Sequence, residues 1–154
     1  MSDLDSTLKT RLRTDLTTAM KARDELRTAT LRMVLSAVSA EEVSGREART
    51  LTDDEVQGVL RREAKKRREA AEAFASAGRA EQAAREQAEG EVLAVYLPQQ
   101  MEDADLAAVV ADVITRTGAS GMKDMGRVMG AAQGAVAGQA DGARVAAEVR
   151  RQLV

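Results

Sequence analysis

Lys123-Asp-Met-Gly-Arg-Val-Met-Gly130, followed by Gly138-Gln-Ala-Asp-Gly142, decides how this chain is read. Glycine recurs every fourth residue, at Gly126, Gly130, Gly134, Gly138 and Gly142. That spacing places residues on one face of an α-helix. Each interior glycine weakens a helix by roughly 1 kcal/mol relative to alanine. Alanine surrounds this row, so a run of glycines implies a use. One use is close packing, with another helix, from the same domain or elsewhere, approaching a smooth face. The other is a surface where backbone meets a partner such as a nucleic-acid backbone. A membrane-dimer reading of the Gly-x-x-x-Gly spacing fails, because Lys123, Asp124, Arg127 and Gln133 interrupt any apolar span.

Working outward, Met122, Met125, Val128 and Met129 give this stretch an apolar side. The expected helix covers about 121–136, with Ser120 as its cap. Asp141 is the expected cap of a last helix over 142–153, with Val145, Val149 and Leu153 on one side. Upstream, Leu106, Val109, Val110, Val113 and Ile114 predict a helix over 103–117, stopped by Gly118. Leu97-Pro98, at the only proline of the chain, is the expected domain boundary.

The N-terminal part reads as four further helices. Leu4, Leu8, Leu12, Leu16 and Met20 make one stripe over 3–23, with Ser2 as cap. Leu26, Ala29, Met33, Ala37 and Val38 mark a second helix over 25–43, the face widened by Leu31, Val34 and Leu35. Arg32 lies inside this apolar run; pairing with an acid is the expectation, snorkelling to solvent the alternative. Thr52-Asp-Asp-Glu55 is a capping box that starts a third helix ending near Gly78. Its apolar side is Val56, Val59, Leu60, Ala64, Ala71 and Phe74. A fourth helix over 80–96 presents Ala83, Ala84, Ala88, Val92, Val95 and Tyr96 and returns antiparallel to the third. The fold expected is all-α with about seven helices, a multi-helical domain at 1–97 and a small three-helix domain at 98–154.

Composition excludes much chemistry. The 154 residues contain no His and no Cys. Ser-His and Cys-His pairs, disulfides and Cys/His zinc sites are therefore impossible. No catalytic residue, cofactor or metal site is expected. No apolar run approaches the roughly 20 residues of a membrane span, and the acidic start lacks a signal-peptide core. The expected location is cytoplasmic.

Net charge is −2, so no overall field draws the chain to nucleic acid. The charge is unevenly placed, however. Residues 61–68 hold six basic side chains and one acid. Arg61, Lys65 and Arg68 share a helix face, and Arg62 and Lys66 form a neighbouring row. Such a run contacts phosphates or is simply a solvated face. No aromatic is interleaved with it, which argues against base stacking.

Lys123-Asp-Met-Gly-Arg-Val-Met-Gly130 with Gly138-Gln-Ala-Asp-Gly142 resembles the signature of the GatB/YqeY family. Tyr96-Leu-Pro98 and Thr30-Leu-Arg-Met33 fit the same pattern. The motif residues are Lys123, Asp124, Met125, Gly126, Val128, Met129, Gly130, Gly138, Asp141 and Gly142. The resemblance implies an all-helical fold whose C-terminal part is similar to the tail of the B subunit of the glutamine-dependent tRNA amidotransferase. It implies tRNA, or an enzyme that aminoacylates or modifies tRNA, as partner, with Lys123, Arg127 and Arg144 joining the basic run as phosphate contacts. It also brings a label of carbon–nitrogen ligase activity with glutamine as amido donor, for which the chain offers no visible catalytic apparatus. A protein–protein adaptor is the alternative to an RNA-binding accessory protein.

Overall fold

The computed structural model describes residues 7–154. Seven α-helices form: α1 (Leu8–Lys21), α2 (Glu25–Glu42), α3 (Asp53–Ser76), α4 (Ala80–Ala94), α5 (Asp103–Thr117), α6 (Met125–Val136) and α7 (Gly142–Leu153). The described residues contain no strand. The chain divides into two compact units, Met1–Leu97 and Pro98–Val154. No helix of the described residues is long and apolar enough to cross a membrane.

Side-chain caps fix most helix starts. The Thr7 hydroxyl accepts the Thr10 N–H and caps α1, which begins at Leu8; the expected start at residue 3 lies outside the described residues. The expected cap Ser2, and Leu4 of the expected stripe, lie outside the described residues. Asp24 accepts the Arg27 N–H at the head of α2, directly after Arg23 turns the chain with φ 56°. At α3 the capping box is complete in both directions, between Thr52 and Glu55. Arg49 also grips the Glu55 carboxylate with two hydrogen bonds, of 2.9 and 2.5 Å. That pairing and the Thr52 N–H hold Glu55 down at about 2.

The core of the first unit is aliphatic. Leu8, Leu12, Leu31, Val34, Val38, Leu51, Val56, Val59, Leu60, Val92, Leu93 and Tyr96 form one buried cluster. The face of α2 is rotated from the one expected. Leu31 and Val34 sit at its centre, while Ala29 is exposed and Met33 only half-buried. At the end of α4, Leu93 is buried and Val95, just past the last helical residue, is 58% exposed, against the expectation that Val95 packs inward. Arg32 pairs with no acid among the described residues. It lies at the surface, with Nη2 3.7 Å from the Met20 sulfur, so it snorkels. An apolar run on a helix has an outward side, and Arg32 falls on it.

Beyond Ala64, α3 gives nothing to that cluster. Its 24 residues span about 36 Å, and α4 is its main neighbour. Ala71 and Ala83 are the small buried contacts there. An ion cluster does the rest: Arg67 lies 3.4 Å from each of Glu63, Glu86 and Glu89. Gly78, with φ 75°, turns the chain between the two helices.

The second unit has its own core of Leu106, Val110, Val113, Val128, Ala132, Val136, Ala140, Val145, Val149 and Leu153. Gly118 closes α5 in the left-handed region. The expected cap of α6 is reversed. Ser120 does not cap with its hydroxyl; its N–H donates to Asp124 Oδ2 at 3.0 Å. A 3-10 turn over Met122–Asp124 precedes α6, which begins at Met125. Met122 is 46% exposed rather than packed. Asp141 caps α7 as expected, accepting the Arg144 N–H.

Candidate nucleic-acid interface

The five-glycine row is not one helix face. α6 stops at Val136, where Ala137 (φ 49°) and Gly138 (φ 80°) both turn left-handed. Only Gly126, Gly130 and Gly134 remain in register on α6. A Cβ built at any of these three meets nothing within 4 Å. Packing within the unit therefore does not require them, and the close-packing use within their own unit is overturned. The apolar side of α6, at Val128, Ala132 and Val136, faces α5 and α7 instead.

Most of the signature residues around this row have structural work. Asp124 accepts the Ser120 N–H and binds Arg127 Nη2 at 3.0 Å. These bonds hold its carboxyl below the usual range, the Ser120 N–H contributing most. Arg127 Nη1 donates to the Thr117 carbonyl at 2.8 Å. Gly138 takes the left-handed turn and Asp141 the cap. Gly142 opens α7, and a Cβ there would make only ordinary contact with Gln133. Val128 is buried, and Met125 and Met129 are half-buried against the core. Lys123, Gly126 and Gly130 are exposed, with no such role among the described residues.

The expected phosphate contacts separate into two groups. Arg127 is committed as described. Arg144 is half-buried and donates to the Met101 carbonyl at 2.8 Å and to Asp103 at 3.0 Å. It ties the start of α5 to α7. Arg62 reaches Glu41 at 3.3 Å, and Lys66 reaches Glu63 at 3.2 Å. The remaining group is Arg61, Lys65 and Arg68 on α3, with Lys123 in the second unit. All four are exposed. Arg61, Arg68 and Lys123 make no ion pair among the described residues, and Lys65 only a loose one with Glu69 at 3.9 Å.

Helical spacing brings Arg61, Lys65 and Arg68 into a line of about 10 Å. Gly58 stands one turn earlier, and both the Arg61 and Arg62 guanidiniums fold back to within 4.0 Å of the Cβ it lacks. Sequence reasoning missed Gly58. Its signal was a glycine near the start of an otherwise strong helix. Neither aromatic supplies a stacking surface: Tyr96 is 4% exposed and Phe74 is half-buried.

The arrangement combines exposed positive charge and exposed small residues in an all-helical chain of two units. The family described as Yqey-like protein matches residues 9–153, and the chain belongs to it. A search of curated proteins finds no match.

Proposed function

We propose that this protein is a tRNA-binding accessory factor of tRNA-dependent amidation, non-catalytic by itself and working in the cytoplasm. The observation that carries the reading is the line of Arg61, Lys65 and Arg68, exposed along α3 and almost free of acid partners. Cations left without carboxylates are available to neutralise phosphates. Lys123, beside the open glycines of α6, is a second such group. The choice of RNA comes from the resemblance of the C-terminal part to the amidotransferase tail. Reversing charge at Arg61, Lys65 and Arg68 together tests it: tRNA affinity at low salt falls steeply if the line is the contact. Unchanged affinity removes the line from the interface.

A second reading, a protein–protein adaptor, is favoured by one observation. Gly126, Gly130 and Gly134 are uncovered, which suits a partner helix that approaches closely. Gly130→Leu then abolishes capture of a partner that survives nuclease treatment. The carbon–nitrogen ligase reading has no observation of its own. Glutamine-dependent amide transfer by the purified protein would establish it.

A further inference from the structure

The helix pair α1/α2 carries a shallow open groove of about 520 Å³, lined by Leu16, Arg32, Leu35, Ser36 and Ser39. Leu31, Val34 and Val38 of α2 are buried in the core, and Leu16 and Leu35 pack against its edge. Arg32, Ser36 and Ser39 at the groove are exposed. Its floor is apolar: Leu16 and Leu35 are only partly buried, and Met20 beside them is 49% exposed.

The charge on the groove is the informative part. Arg32 stands at its edge with no carboxylate partner among the described residues, touching only the Met20 sulfur. Arg13 shares the α1 face with Leu16 and Met20 at helical spacing and is exposed. The acid at one end, Glu42, is already engaged by Lys9 Nζ at 2.6 Å and by the Leu51 N–H. Glu25, exposed and two turns before Arg32 on α2, is a further acid on this face among the described residues. A guanidinium beside an apolar floor matches a ligand with aliphatic side chains and a carboxylate next to them. A trough between two packed helices accepts a third helix laid along it. Leu16 and Leu35 fit a protein ligand better than a phosphate backbone, which has no aliphatic surface.

We propose that the α1/α2 groove docks an acidic amphipathic helix of a partner protein, its aliphatic side on Leu16 and Leu35 and its carboxylates on Arg32. The site differs from the line at Arg61, Lys65 and Arg68 and goes beyond RNA binding, so either can fail without the other.

The test is fluorescence anisotropy with the full chain and two labelled helical peptides. One is a Leu/Glu amphipathic helix, and the other has Gln at each Glu. The acidic peptide binds about tenfold more tightly, as one charge-assisted hydrogen bond gives. Arg32→Gln removes that preference and leaves the Gln peptide unchanged. Ser36→Trp, at an exposed position, fills the floor and weakens both. Equal affinities, absence of binding, or a preference untouched by Arg32→Gln overturns the proposal. So does binding of a labelled duplex RNA that is lost on Arg32→Gln, or a dimer of this chain that Ser36→Trp dissociates.

Discussion

The Tyr96 hydroxyl donates a 2.5 Å hydrogen bond to Asp15 Oδ2, joining the end of the first unit to its first helix. Arg11 lies over the same ring, 4.9 Å from its centroid. Tyr96 is the last buried side chain before Leu97-Pro98, so this bond fixes where the unit ends.

Burial, then the Asp15 bond, pushes the Tyr96 hydroxyl well above its usual range. The neutral phenol is the form the fold holds. Its contribution is complete below about pH 10, the unfolded value, and is lost as pH rises beyond it. Because the chain has one tyrosine, tyrosinate absorbance reports this group alone. We expect ionisation to coincide with alkaline unfolding. Asp15→Asn lowers the pH at which it occurs; ionisation in a still-folded chain contradicts the assignment.

Gly130 and Gly134 have open space where a Cβ would go. Gly130→Ala should therefore stabilise the protein by about 0.5–1 kcal/mol through helix propensity alone, read as a higher denaturation midpoint. If the glycines serve a partner, the same substitution weakens that binding. A gain in stability with binding intact assigns the face no function.

Arg67 is the one side chain of the basic run that holds the fold. Its side chain is 18% exposed and faces Glu63 (8%), Glu86 (18%) and Glu89 (11%). Arg67→Met leaves three carboxylates crowded between α3 and α4, and should cost about 3 kcal/mol. Arg62→Ala breaks only a surface pair with Glu41 and should change stability by no more than about 0.5 kcal/mol. Urea denaturation of the two variants compares them; similar losses contradict the distinction.

The fold should be sensitive to acid, because several carboxylates are held below their usual range, Glu55 and Glu42 among them. Glu55 is held at about 2, Arg49 contributing most, and Glu42 is lowered, chiefly by Lys9. A lowered carboxylate adds stability above its unfolded value, near 4.5, that is lost as pH falls through the folded value. We expect the midpoint of thermal unfolding to fall from about pH 4.5 towards pH 2. Glu55→Gln flattens part of that slope, and an unchanged profile places the acid sensitivity elsewhere.

Local signals were legible in the sequence, and cross-helix ones were not. Gly118 and the apolar stripe placed α5 at Asp103–Thr117, and the capping box placed the start of α3. The end of α6 at Val136 agrees with the expected bound, while the glycine period runs on past it through Ala137, an unusual choice for the left-handed conformation it takes. Thr7 was an equally good cap that the leucine stripe obscured. Spacing sorts the basic run into two rows, Arg61, Lys65, Arg68 and Arg62, Lys66, and leaves the place of Arg67 open. Arg67 finds Glu86 and Glu89 on another helix, 19 and 22 residues away, and no count along the chain shows that. The internal bonds of Arg127 and Arg144 were hidden for the same reason: their partners include carbonyls of distant residues, Thr117 and Met101.

The most direct measurement is tRNA binding by the intact chain across a salt series, wild type beside the Arg61→Glu, Lys65→Glu, Arg68→Glu variant. The proposed function predicts wild-type affinity that falls steeply with salt, and a log–log slope about two to three units shallower in the variant, close to one unit per lost phosphate contact. Equal slopes in the two proteins, or no binding by the wild type even at low salt, would contradict it.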